Sequence, residues 1–409
     1  MYRDIPIATH SDLWQTAFVR GDSIASADRP AVLDLFCGGG GFGLGAELAG
    51  FHSTLAVDVD PDLQATYKLN FPGTKAVEGD IGALDGDGWR FLTEGVRPTV
   101  IVGGPPCQGF SRIGKRDRSD PRNSLVGHYF RHIDILRPKA FVMENVEGLL
   151  DEGNREQLEA GIEMLAGRYS IVGPVTVNAL DFGAPTSRRR VVIVGYDPDE
   201  MAELSAEELR IPTGPRVTVE EAIGDLPGPL AGPPLPGDWG WARLPVVNPR
   251  DGEISDYARE MRSMPPSGLG WSVAVERLAE GMVSGLMTTL HTEPVRARFG
   301  TTEQGKVEDV SRYPRLAWKG HCPTLRAGTG REKGSFQSMR PIHPSEPRVI
   351  TVREAARLQG FPDWFAFGPT KWHSFRVIGN SVSPKVSAGI LSLIKKKLGY
   401  SESSNRMFG

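Results

Sequence analysis

The run Ala31-Val32-Leu33-Asp34-Leu35-Phe36-Cys37-Gly38-Gly39-Gly40-Gly41-Phe42-Gly43 decides the fold. Apolar text broken only by Asp34 stops at a cluster of glycines, and helical periodicity takes over across residues 43–49. Strand, glycine turn and helix in this order open an α/β unit. Gly38, Gly40 and Gly43 fit G-x-G-x-x-G, a turn whose missing side chains let backbone N–H groups approach a ligand. Nicotinamide, flavin and adenosyl-methionine enzymes all use it, so alone it assigns no chemistry.

Downstream, a second strand at residues 54–57 ends at Asp58-Val59-Asp60-Pro61. An acid there can accept both ribose hydroxyls of an adenosine. Asp60 reads instead as the N-cap of a helix over 61–70, with Pro61 in its first turn. A third strand ends at Gly79-Asp80-Ile81, where Asp80 either reaches an adenine amino group or caps a solvated turn. Thr99-Val100-Ile101-Val102 stops at Gly103-Gly104, and Pro105-Pro106 stiffen a turn that presents Cys107 at the strand's carboxyl end. Ligands of open α/β sheets sit along that edge. Cys107 is therefore read as a nucleophile at a pocket mouth, with a buried structural thiol as the plain alternative.

A helix is expected over 123–136, then a strand at 140–143 that ends at Glu144. Glu144 either faces the Cys107 pocket or makes a surface ion pair. A helix at 155–168 precedes strands at 169–177 and 190–195, whose short connection makes the second antiparallel to its neighbour. Arg188 and Arg190 alternate with Arg189 and share a face, which puts Arg190 beside Cys107 and Glu144. A plain basic turn is the other reading of these three arginines.

From 198 to 347 the alternation of strand and helix lapses into a separate loop-rich unit. Its charge is split, with a net −9 over 197–260 and +6 over 291–353. Regular text returns at 349–362, where Thr351 and Glu354 form a capping box and Gly360 ends the helix. A last amphipathic helix closes on Lys395-Lys396-Lys397. Three scattered cysteines in 409 residues make neither a disulfide framework nor a zinc site, and point to a reducing cytoplasm. No run is expected to span a bilayer, and Met1-Tyr2-Arg3-Asp4 carries no signal-peptide pattern. With a net charge of −3, any grip on a polyanion must come from local patches.

Six motifs stand in order: Asp34-x-Phe36-x-Gly38-x-Gly40-Gly41, Pro105-Pro106-Cys107-Gln108-Gly109-Phe110-Ser111, Glu144-Asn145-Val146, Arg188-Arg189-Arg190, Arg353-Glu354 through Gly360-Phe361-Pro362, and Gly379-Asn380-Ser381. The set resembles the bacterial DNA (cytosine-5) methyltransferases over about half the chain. The resemblance implies an α/β fold: an S-adenosyl-methionine-dependent, Rossmann-like sheet with helices on both faces, plus a smaller loop-rich target-recognition domain. Residues 29–197 would begin the catalytic domain, 198–347 would recognise the target, and 348–398 would complete the catalytic domain.

By the same resemblance Cys107, Glu144, Arg188 and Arg190 form the catalytic set. Phe36, Gly38, Gly40, Asp58, Val59, Asp80, Ile81, Asn380 and Val382 contact S-adenosyl-methionine, with no metal. Double-stranded DNA is the expected partner of a monomer, with any cognate restriction endonuclease acting independently. Ser111, Arg112 and Lys115 would close over the DNA, and Arg326, Arg331, Lys333 and Arg340 are the first candidates to read it. Two departures stand out. Asp58 replaces the glutamate of most relatives, and Thr186 replaces a common glutamine. A tRNA cytosine-5 methyltransferase and a nicotinamide oxidoreductase are the rival enzymes; the long insert and Gly109-Phe110-Ser111 favour DNA.

Overall fold

β1 (Ala31–Leu35) is buried on both faces, which explains its unbroken apolar text. The structure is a computed structural model and describes residues 29–106, 125–152, 154–232, 238–246, 254–327, 340–368 and 370–400. α1 (Gly41–Leu48) leads to β2 (His52–Asp58), α2 (Pro61–Asn70), β3 (Lys75–Glu78), α3 (Gly86–Leu92) and β4 (Val100–Gly103). Next come α4 (Leu125–Leu136), β5 (Ala140–Asn145), α5 (Arg155–Glu163), β6 (Ser170–Asn178), the short β7 (Thr186–Ser187) and β8 (Arg189–Tyr196). α5 ends five residues before the expected Arg168, and single turns complete the stretch.

Seven strands form one sheet in the order β3-β2-β1-β4-β5-β8-β6. The first five run parallel, and β8 lies antiparallel between β5 and β6, as the short connection predicts. Side chains alternate between two cores. Val32, Val100, Val102 and Val142 pack under α1, while Leu33, Ile101, Phe141 and Met143 pack under α4. Each fully buried side chain of this size contributes about 1.5–3 kcal/mol.

The 198–347 stretch holds short elements: α6 (Val219–Ile223), β9 (Ala242–Arg243), α7 (Asp256–Met261), α8 (Ser272–Ala279), β10 (Met282–Val283), α9 (Glu293–Thr301) and β11 (Cys322–Pro323). They share a core with the C-terminal part of the chain. Ala222, Tyr257, Met261, Leu278 and Leu286 pack in one cluster with Ala355, Leu358, Phe361 and Phe365. α10 (Val352–Gln359) has the expected capping box, Thr351 with Glu354, and Gly360 closes it at φ +97°. Two arginines of α10 hold the surroundings. Arg353 donates to the carbonyls of Ser284, Pro362 and Phe365, each at 2.9 Å. Arg357 is bidentate on Asp363 at 2.8 and 2.7 Å and also pairs with Asp225.

α11 (Lys371–Asn380) and α12 (Pro384–Lys397) finish the described chain. By length and composition alone the run Lys371–Lys397 could cross a bilayer, against the expectation of none. It is two helices, and α12 lays Val386, Ile390 and Ile394 against Phe42 and Ala46 of α1. Gly45 makes this approach possible, because a Cβ there would stand 2.3 Å from the Ser387 Cβ. The Ser387 hydroxyl donates to the Phe42 carbonyl at 2.8 Å.

Candidate active site

The glycine turn is built by close neighbours on three sides. A Cβ on Gly39 would meet Val377 at 2.3 Å, on Gly40 Phe71 at 2.4 Å, and on Gly41 the Val382 carbonyl at 2.3 Å. Gly38 alone faces open space, at φ +53°, and Phe36 before it sits at φ +55°. One side of the turn is thus free for a ligand while the others are packed. α11 and the Ser381–Val382 backbone supply part of that packing, so the end of the chain shapes the same turn as its beginning.

Asp58 ends β2 and accepts the Gly38 N–H at Oδ2 and the Asp60 N–H at Oδ1, both at 2.9 Å. Burial raises its pKa, and these two amide bonds pull it back. Each oxygen keeps a lone pair, so Asp58 can fix the glycine turn and still accept from a hydroxyl. Asp60 is the N-cap of α2, as expected, accepting from Asp62 and Leu63 N–H groups and pairing with Arg376. Val59 is 67% exposed beside it, an apolar surface a flat ring could cover.

Asp80 is exposed and caps a single turn, accepting the Gly82 N–H at 2.8 Å. The Ile81 side chain is buried in the core, so only its backbone faces that edge. Asn380 is exposed at the end of α11, and Val382 is largely buried behind the turn. Taken together, an open glycine, an exposed valine and carboxylates at successive strand ends fit an adenosine-bearing cofactor.

At β4, Gly103 is required: a Cβ would meet the Tyr129 ring at 2.6 Å and the Leu35 carbonyl at 2.9 Å. The chain then runs along the Glu144 carboxylate, whose Oε2 lies 3.6 Å from the Cβ position of Gly104. Asn145 Nδ2 donates to the Pro105 carbonyl at 3.3 Å. The end of β5 therefore both supplies Glu144 and holds the turn that leads to Cys107. Cys107 itself lies outside the described residues, as do Ser111, Arg112, Lys115, Arg331 and Lys333.

Glu144 and Arg190 are brought together. Arg190 Nε is 2.9 Å from Glu144 Oε1, an ion-pair contact whose angle falls short of a hydrogen bond. Arg189 points the other way and pairs with Glu147 at 3.0 Å. Arg188 is 3% exposed, and its Nη1 donates to the carbonyls of Leu325 (3.3 Å) and Gly379 (3.1 Å). Its Nε has no partner, and burial followed by Arg190 pushes its pKa down. Arg188 thus ties the insert to α11 rather than offering Nη1 to the pocket.

Thr186, buried, pairs in parallel with Cys322 through β7 and β11. Cys37 is buried and accepts from Gln64 Nε2 at 3.3 Å, and burial raises both described thiols. Arg326 is exposed, and Arg340 lays its guanidinium 4.6 Å from the Phe375 ring centroid.

Sequence reasoning missed His132. It is fully buried on α4, accepts from Trp89 Nε1 at Nδ1 (2.9 Å), and faces the Ile81 carbonyl with Nε2 (2.9 Å). Arg131 adds a bond to the Gly82 carbonyl at 3.0 Å. The signal was present: His132 falls between Tyr129 and Ile133 on the apolar side of the helix.

The profile of the C-5 cytosine-specific DNA methylase family matches residues 31–396. The chain is 44% identical over 377 residues to Type II methyltransferase M.XorII of Xanthomonas oryzae pv. oryzae, covering 90% of this chain and 85% of the relative. It is 30% identical over 435 residues to Type II methyltransferase M.AgeI of Thalassovita gelatinovora, covering 89% and 99%. Among solved structures, one described as a DNA modification methyltransferase encoded within a prophage (E. coli) superposes with a TM-score of 0.79 at 36% identity, covering 90% and 99%. S. pombe Dnmt2 methyltransferase shares the fold, with a TM-score of 0.56 at 18% identity and the same coverage. The family model spans most of the chain and the relatives are covered over most of their length, so the chain is an enzyme of the C-5 cytosine-specific DNA methylase family.

Proposed function

We propose that this enzyme methylates C5 of a cytosine flipped out of a specific duplex DNA sequence, as the modification arm of a Type II restriction-modification system. The observation that carries the reading is the Glu144–Arg190 pair, 2.9 Å apart, beside the Gly104–Pro105 turn that leads to Cys107. In this reading residues 29–197 and 348–398 form the catalytic domain, and 198–347 recognise the target. The protein acts as a monomer, independently of any cognate endonuclease.

Cytosine C5 is a poor nucleophile inside an aromatic ring. The Cys107 thiolate adds to C6, which breaks the aromaticity and places electron density on C5. Charge also builds on N3 and O2. Glu144, protonated, donates to N3 and accepts from the exocyclic amine, which selects cytosine over thymine. Arg190 stands ready as a fixed cation at O2. Phe36, the Gly38 turn, Asp58, Val59, Asp80 and Asn380 would hold S-adenosyl-methionine, which would supply the methyl group to C5 and leave as S-adenosyl-homocysteine. A base then removes the C5 proton, the electron pair returns to the ring, and the C6–S bond breaks to free Cys107. The reacting carbons are unreachable in a stacked duplex, so the base must leave it, at a cost of a few kcal/mol.

A duplex with 5-fluorocytosine at the target, incubated with enzyme and S-adenosyl-methionine, tests the reading. The fluorine cannot leave as a proton, so a denaturation-resistant adduct is expected at Cys107. An adduct at Cys37 or Cys322, or none while cytosine is methylated normally, overturns the assignment. Bisulfite sequencing of DNA from a host expressing the chain gives the modified position and its flanking bases.

A further inference from the structure

The insert crosses α11 at two points. Its outgoing segment packs Arg326 and Ala327 on Gly379, so closely that a Cβ there would stand 2.5 Å from the Ala327 nitrogen. Its returning segment lays the Arg340 guanidinium over the Phe375 ring, 4.6 Å from the centroid. Lys371 is four residues before Phe375 on the same helix and so shares its face. A guanidinium and an ammonium are thus brought together at the start of α11, where the insert returns.

Among the described residues these two cations have no ion-pair partner. Arg340 Nε is buried without a hydrogen-bond partner. Lys371 Nζ has only the neutral Thr288 carbonyl, at 2.7 Å. Among the described residues no carboxylate pairs with either one. Asp238 lines the same small cavity as Lys371 and accepts the Gly240 N–H at Oδ1 (2.8 Å), but no ion pair within 4.0 Å joins it to the ammonium. Burial and then Arg340 push the Lys371 pKa down, and His291 in turn is lowered by burial and by Lys371. A half-buried group of like charges destabilises the free protein, and a strong oxyanion relieves it. The planar fork of Arg340, held by the Phe375 ring, suits a phosphodiester, and Lys371 adds a point charge.

We propose that Arg340 and Lys371 grip a single backbone phosphate of the bound DNA, so that Arg340 positions the duplex and does not read a base. The inference rests on the DNA reading above. One phosphate neutralised changes the slope of log K against log salt by about 0.9. Duplex binding is measured against salt for the wild type, R340Q, K371Q and the double variant, with S-adenosyl-homocysteine present.

Each single variant is expected to weaken binding but keep most of the slope, because the remaining cation still neutralises the shared phosphate, and the double variant is expected to lose about 0.9. K371Q is also expected to keep or raise Tm without DNA, since it removes an uncompensated charge. An unchanged slope in the double variant, losses near 0.9 in each single that add to about 1.8 in the double, or a lower Tm for K371Q overturns the proposal. So does a changed base preference for R340Q in bisulfite sequencing. A wild type with no salt-dependent duplex binding would instead remove the DNA reading on which this stands.

Discussion

Arg190 Nε reaches to within 2.9 Å of Glu144 Oε1 across an antiparallel pairing in which Glu144 lies opposite Val192. The contact is diagonal, two residues along the same face of the sheet. Only an antiparallel β8 brings its first residues to the carboxyl edge of the parallel strands. Reversal of this one strand is what joins the acid and the cation.

The proposed role of Glu144 is to donate to N3 of the base. Glu144→Gln keeps the shape but offers no acid proton, so kcat is expected to fall about 10²- to 10⁴-fold. Duplex binding should survive. Single-turnover transfer of labelled methyl groups measures this, and a loss below tenfold would remove Glu144 from the acid role.

Gly379 tests the bridge made by Arg188. In Gly379→Ala the new Cβ meets the Ala327 nitrogen at 2.5 Å and the Arg326 carbonyl carbon at 2.6 Å. Both are backbone atoms and cannot swing aside. Overpacking of this kind costs about 1–3 kcal/mol. Urea unfolding should show a lower midpoint with an unchanged slope, and a wild-type midpoint would mean that the segment at 325–327 moves freely.

His132 predicts a pH signature. Burial is the main cause that lowers its pKa to about 4, so the folded protein favours the neutral ring, which accepts from Trp89 and donates to the Ile81 carbonyl. Because the folded value lies below the usual 6.5, the unfolded chain takes up the proton first. The stabilisation is complete above about pH 6.5 and declines as pH falls toward 4. Trp89→Phe leaves the ring nitrogen unpaired and should cost about 1–3 kcal/mol at pH 7.5. Its KM for S-adenosyl-methionine should rise more than kcat falls, because the Asp80 turn loosens. Equal effects on both constants would deny the link to that turn.

Arg357 predicts how the insert is retained. Both its partners, Asp363 and Asp225, sit with it in the interior, and Asp225 belongs to the insert. Arg357→Met strips the buried Asp363 of its bidentate partner, leaving it only Arg353 at 3.9 Å, and leaves Asp225 to Arg262 alone, with an expected loss of about 3–5 kcal/mol. Limited proteolysis should then cut within 198–347 first. Uniform digestion of the whole chain would show that α10 does not retain the insert.

The strands and helices of the sheet were legible because their periodicity and turns agree locally. Asp60 as a cap, the Thr351–Glu354 box and the reversal before Arg190 all rest on neighbours in sequence. Glu144 and Arg190 were legible for the same reason, each standing at a strand end. Less legible was anything set by distant contact. Arg188 looked like a partner of Arg190, yet its Nη1 is held by carbonyls 137 and 191 residues away. The insert looked like a unit apart because its text is irregular. Its apolar residues find their partners in α10 and in Phe361 and Phe365, which no local pattern announces.

The seating of Ser387 on Gly45 carries a consequence for biosynthesis. Translation delivers the glycine turn first, and the helix that covers its neighbour follows only later, with Ser387 345 residues after Phe42. A nascent or truncated polypeptide leaves one flank of the parallel strands bare to water.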